Sequence, residues 1–130
     1  MSPGPGARAV GTKPGRSPLP RLKAKSKVWV EVDGKPVFGD GKARLLELVG
    51  KTGSLRAAAS QMGMSYRAAW GKIEEMERRL GCELVVRRAG GKGGGRSELT
   101  ALARTLLARY RSFRAGIDAA VDRRFRKAFR

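Results

Sequence analysis

The stretch that decides the fold is SLRAAASQMGMSYRAAWGKIEEMERRL, residues 54–80. Ser54 suits an N-cap, because its hydroxyl can take up a free amide of a first helical turn. Leu55, Ala58, Ala59 and Met62 recur at helical spacing and give a short helix one apolar face. Gly63 stops that helix, since glycine accepts the left-handed conformation past a helix end at little cost. Met64 plugs the corner and Ser65 caps a second helix. Helix, glycine-containing turn, helix is the pattern of a helix-turn-helix, whose second helix enters the major groove of DNA.

At about 100° per residue, Tyr66, Ala69, Ile73, Met76 and Leu80 fall on one side of the second helix, with Trp70 at the edge. Arg67, Gly71, Glu74 and Arg78 lie opposite. The N-terminal half of the exposed strip (Ser65, Arg67, Gly71, Lys72) carries positive charge and small side chains. The acids Glu74, Glu75 and Glu77 begin further in, and anions repel phosphate. The N-terminal end is therefore expected to meet DNA. On the helix pair alone, the competing reading is an ordinary amphipathic helix in a small helical domain.

Upstream, VWVEVDGKPVF at 28–38 alternates apolar and polar residues around Asp33-Gly34, a strong hairpin signal. Val28, Val30 and Val32 would face one way, Trp29 and Glu31 the other. Asp40 is expected to cap the next helix, in which Ala43, Leu45, Leu46, Leu48 and Val49 are core positions and which ends within Gly50 to Gly53. Residues 1–27 hold five of the six prolines, four glycines, seven basic residues and no acid. They read as a disordered basic arm, unable to bury enough apolar surface to offset its ordering entropy.

Downstream, Gly81 ends the second helix. ELVVRRA at 83–89, with Leu84 and Val86 turned inward, and SELT at 97–100 are short strands around GGKGGGR. Strand, glycine-rich basic loop and strand after a helix-turn-helix make a wing. Glycines let backbone approach phosphate closely, and Arg88, Lys92 and Arg96 supply charge. A P-loop is excluded, because it needs Ser or Thr after the lysine and Gly93 stands there. Thr100 caps a last helix running to about Ala128, in which Leu102, Leu106, Tyr110, Phe113, Ile117 and Val121 form a near-heptad seam. Such a helix, about 42 Å long, outruns a small domain, so its stripe calls for a second copy of the chain. A monomer with this helix folded back on the first is the alternative.

The whole is one compact domain with extensions: a basic arm at 1–27, a winged helix-turn-helix at 28–99 and a dimerisation helix at 100–130. The fold class is mainly α with a hairpin, a two-stranded wing and a long last helix. A balance of 29 basic to 11 acidic residues gives +18, which binds nucleic acid through release of condensed counterions. No apolar run reaches membrane-spanning length, and the basic N-terminus lacks the apolar core of a signal peptide. Cys82 alone cannot build a disulfide framework and fits a reducing cytoplasm.

The runs GSLRAAA (53–59), GMSYRAAW (63–70), GGKGGG (90–95) and Leu99-Thr100 resemble the N-terminal DNA-binding domain of ModE-type, molybdate-responsive transcription regulators, winged helix proteins related to the LysR group. VDGKPVFGDGKARLLELV before them is also similar to that family's opening hairpin and first helix. The resemblance implies a homodimer, joined through first and last helices, on operators of molybdenum-uptake and molybdoenzyme genes. Family members carry molybdate-binding domains after this part, whereas this sequence stops at Arg130, so no small-molecule effector is expected within it. Ala103 stands where the LysR-like pattern usually has glycine.

With no histidine, no carboxylate pair in a pocket-forming segment and no base beside Cys82, an enzyme is not expected, nor a cofactor or a metal site. The sequence supports a cytoplasmic, nucleoid-associated regulator that binds double-stranded DNA as a homodimer. The alternative is a non-specific nucleic-acid-coating protein, which would need only the charge. Ser65, Tyr66, Arg67, Gly71 and Lys72 are the expected base-reading residues. Ser54, Arg56, Arg88, Lys92 and Arg96 are expected on phosphates.

Overall fold

A computed structural model describes residues 20–89 and 95–130. Its elements, in chain order, are β1 (Trp29–Val32), β2 (Lys35–Gly39), α1 (Asp40–Thr52), α2 (Leu55–Gln61), α3 (Tyr66–Leu80), β3 (Val85–Arg88), β4 (Arg96–Leu99) and α4 (Ala101–Ala128). Both strand pairs are antiparallel two-stranded sheets. The fold is the winged helix-turn-helix that the sequence predicts.

Helix α1 is the hub, touching β2, α2, β4 and α4. Leu45, Leu46, Leu48 and Val49 are buried on it, joined by Leu55, Ala58 and Ala59 of α2 and Ala69, Ile73 and Met76 of α3. Each large side chain among them contributes about 1.5–3 kcal/mol by leaving water. The helix-turn-helix thus rests on α1, as the burial of Leu46 and Val49 requires. Gly50 lies inside α1 rather than past its end, and a Cβ there would come within 2.9 Å of Leu99, so β4 packs close against this turn. Gly53 is the residue that ends α1, at φ +71°.

Three expected caps are in place. Ser54 Oγ accepts from the Ala57 amide at 2.9 Å, Ser65 Oγ from Ala68 at 3.0 Å and Thr100 Oγ1 from Ala103 at 3.1 Å. Asp40 differs. Gly39 holds the N-cap position without a side-chain bond, and Asp40 is the first helical residue, its carboxylate taken by the Tyr110 hydroxyl and Arg114 of α4. A long-range donor pair has outcompeted the local amide.

Val86 is also placed differently from expectation: Val85 is buried beside Leu84, and Val86 is only half-buried. Glu77 explains the change of phase. Its Oε2 accepts from the amides of both Leu84 (2.8 Å) and Val85 (3.1 Å), fixing the entry into β3 so that consecutive apolar residues turn inward.

In α4, Ala103, Leu107 and Tyr110 face the core. Tyr110 therefore leaves the expected dimer seam: it packs edge-on against Phe38, with ring centroids 5.0 Å apart at 84°. The neighbouring face carries the rest. Leu102 and Phe113 are exposed, and Leu106, Ile117 and Val121 are half-buried. Among the described residues, no helix is long and apolar enough to cross a membrane.

Candidate nucleic-acid interface

The outer face of α3 is uncovered. Arg67, Gly71, Lys72, Glu74 and Arg78 are exposed, while Ala69, Ile73 and Met76 are buried beneath them. Ser65 stands exposed at the N-terminus of α3, its oxygen occupied as a cap. Four of the five expected base-reading residues (Ser65, Arg67, Gly71 and Lys72) thus lie in the open at or near the N-terminal half of α3.

Tyr66 does something else. It is half-buried, with the Arg56 guanidinium 4.5 Å from its ring centre and that of Arg87 at 5.7 Å. Arg87 also lies 4.9 Å from the Trp70 ring. The two aromatic rings of α3 form a platform that aims one cation from α2 and one from β3, each attracted to the negative ring face. Trp70 is packing rather than a free contact, as its position at the edge of the apolar face predicts.

Arg87, which sequence reading did not single out, lies over these two rings, whereas Arg88 is the neighbour expected on phosphate. Both line one groove, but only Arg87 lies over the aromatic rings of α3. Arg88 pairs with Glu98 across the hairpin at 3.0 Å, an exposed and partly neutralised cation. The signal available in the sequence was Glu98, one acid in a basic wing, able to claim one of the two arginines.

Arg56, Arg87, Arg88 and Arg96 line one groove with Ser54 and Tyr66. Of these cations only Arg88 has an acid partner among the described residues. Ser54 contributes its cap to α2 and its hydroxyl edge to the groove. The wing is fastened to the body where the Ser97 amide donates to the Gly53 carbonyl at 2.9 Å. Gly95 serves the hairpin itself, since a Cβ there would stand 2.9 Å from the Arg88 carbonyl oxygen. Lys92 lies outside the described residues.

Two of the three acids of α3 are engaged within the protein. Glu75 is paired with Lys42 at 3.3 Å and Arg79 at 3.1 Å, and these partners, Lys42 first, hold its carboxyl below the ordinary glutamate value. Glu77 is spent on the amides before β3. Glu75 and Glu77 are therefore neutralised or engaged by amides, and Glu74 alone of the three is left exposed, one turn beyond Gly71.

Residues 42–104 match the family model described as "Bacterial regulatory helix-turn-helix protein, lysR family". The chain is similar to "Molybdenum transport protein ModE" of Azotobacter vinelandii, 36% identical over 98 residues that make up 75% of this chain and 36% of that protein. Similarity to "Molybdenum-pterin-binding protein MopB" of Rhodobacter capsulatus is 39% over 80 residues, 62% of this chain and 30% of that protein. With "DNA-binding transcriptional dual regulator ModE" of Escherichia coli (strain K12) it is 39% over 66 residues, 51% of this chain and 25% of that protein. The chain thus spans between a quarter and 36% of the length of these relatives. Among solved structures, "Crystal structure of CbnR_DBD-DNA complex" shares the fold with a TM-score of 0.52 at 24% identity, over 68% of this chain and 95% of that one.

Proposed function

Residues 42–104 being a LysR-type helix-turn-helix domain like that of the ModE proteins, we propose that the chain is a transcription regulator that binds double-stranded DNA by sequence and is not an enzyme. The N-terminal half of α3 enters the major groove. Arg67 reads a base edge, guanine being the commonest partner of arginine, while Ser65, Gly71 and Lys72 border it. Ser54, Arg56, Arg87 and Arg96 hold phosphates and fix register. The observation that carries this reading is the uncovered outer face of α3, beside a wing whose guanidinium rests on the helix's own aromatic rings.

The dimer belongs to the same proposal. Val30, Leu102 and Phe113 are large apolar side chains left 41%, 51% and 49% exposed, and Val30, Leu106 and Phe113 border one apolar hollow. A second copy covering it would set two reading heads on a two-fold axis and so select a palindrome. The names of the relatives make molybdenum-transport or molybdoenzyme genes the first operators to try.

Selection of genomic fragments by the purified chain at moderate salt tests the reading; one palindromic motif is the expected result and uniform recovery the contrary one. On the recovered duplex, Arg67→Ala should cost about 1–3 kcal/mol and relax preference at one position of each half-site. Equal losses on selected and random duplexes would remove Arg67 from the base-reading role.

A further inference from the structure

Residues 20–28 run into β1 without regular secondary structure, yet their exposure alternates. Ala24, Ser26 and Val28 are half-buried, while Lys23, Lys25 and Lys27 are exposed. Ser26 fastens the segment. Arg114 donates from Nη1 to Ser26 Oγ at 2.7 Å and from Nη2 to the Ser26 carbonyl oxygen at 2.6 Å, and the same guanidinium holds Asp40. Because one acceptor is backbone, the course of the chain is fixed on α4 and not merely one side chain. In extended backbone, cations four residues apart, as Lys23 and Lys27 are, stand about 13 Å from each other, a spacing that spans alternate phosphates.

Two of these lysines open onto different surroundings. Lys25 borders a hollow with Asp118 and Asp122 of α4, acids that offset it. Lys27 opens into a groove shared with Trp29, Lys42, Met62, Met64 and Lys72. The far wall of that groove is the helix-turn-helix corner and α3 itself. By helical rotation of about 100° per residue, Tyr66 and Trp70 lie to one side of Arg67, toward the wing, and Lys72 lies to the other. Lys42 is committed to Glu75, which leaves Lys27 and Lys72 as the cations of this groove without an acid partner among the described residues. An acidic protein would need no such continuity with the outer face of α3; a DNA backbone does.

Resting on the DNA-binding reading above, we propose that residues 23–27 are a second phosphate clamp. Lys23 and Lys27 contact the DNA backbone on the flank of α3 opposite the wing, so that each reading head holds the duplex from both sides.

The test compares the full chain with Lys23→Gln/Lys27→Gln on a selected duplex and a random one. It uses binding across salt concentrations and hydroxyl-radical footprinting, with Arg123→Gln/Arg124→Gln as an equal loss of charge elsewhere. Removing two cations per head that each neutralise a phosphate should lower the slope of log affinity against log salt by about 1.8 for each bound head, so about 3.6 for a dimer on a two-half-site duplex. The preference for the selected duplex should be unchanged, and protection should vanish at one outer flank of each half-site only. The Arg123/Arg124 variant should keep that flank protected. A footprint that fades evenly, or a slope that does not move, overturns the clamp. If the wild-type chain holds both duplexes equally, the DNA-reading function falls and the clamp with it; a discriminating wild type with an unaltered variant footprint sinks the clamp alone.

Discussion

The hairpins β1–β2 and β3–β4 are built alike and face the solvent with opposite chemistry. In the first, Asp33 and Gly34 turn the chain at φ 50° and 78°, Val37 and Phe38 bury into the core, and Val30 is left outside next to Phe113. In the second, Leu84 and Val85 bury at its entry, and the outward residues are Arg87, Arg88 and Arg96. An exposed apolar side chain gains by being covered by another apolar surface, whereas a guanidinium gains by meeting an anion. In the proposed function, two pieces of the same local structure thereby take different partners, a second copy of the chain for one and phosphate for the other.

The sharpest way to break that contrast is to charge the apolar hairpin. Val30→Glu combined with Phe113→Glu should leave the monomer folded, because both side chains already stand in solvent. It should convert the protein to a single sedimenting subunit. Affinity for a two-half-site operator should fall by about 100- to 10,000-fold as linkage between the heads is lost, with single half-site binding retained. A variant that still sediments as a pair would detach the first hairpin from self-association.

The second hairpin should respond on a smaller scale and without change of oligomer. Arg87→Ala and Tyr66→Ala are each expected to weaken selected and random duplexes alike, by about 0.5–2 kcal/mol, because the ring and the guanidinium act as one unit. Tyr66→Phe keeps the ring face and should bind within about twofold of wild type, since cation–π attraction needs no hydroxyl. Loss of sequence preference in Tyr66→Phe would instead return the phenol to base reading. Arg88→Ala should be nearly silent, its exposed pair with Glu98 being worth about 0–1 kcal/mol.

These two hairpins also mark where the sequence was legible. Helix starts were readable because Ser54, Ser65 and Thr100 act on amides three residues away, and the Asp-Gly turn is equally local. Asp40 fits the same local rule by its position but is claimed by residues 70 and 74 positions later in the chain. Tyr110 was misassigned because α4 carries two adjacent apolar lines, and periodicity does not say which one the rest of the chain takes. Leu84 and Val85 break alternation because Glu77, outside the strand, sets its phase. The exposed face of α3 was legible since it depends on one helix alone. The placement of Arg87 was not, since it depends on rings brought to it from another element.

Tyr110 ties the first hairpin to α4, and its ionisation offers the finest probe of that join. Burial first, and then the bond to the Asp40 carboxylate, push the phenol from 10.0 up to about 12. The folded chain thus keeps a proton that the unfolded chain releases near its ordinary value. The stability from neutral Tyr110 is complete below pH 10 and drains as pH rises toward 12. Asp40 runs the other way: the Tyr110 hydroxyl, with Arg114 second, holds its carboxyl low, so its contribution is present above about pH 4 and fades in stronger acid. Tyr110→Phe keeps the ring on Phe38 and deletes only the hydroxyl. Near pH 7 it should cost about 1–2 kcal/mol in denaturant unfolding, and the difference from wild type should shrink between pH 10 and 12 and again below pH 4. Lysine titration in the alkaline range affects both proteins and cancels in the difference. A gap that stays level from pH 7 to 12 would mean the hydroxyl does not couple α4 to the start of α1, and that the ring contact with Phe38 alone makes the join.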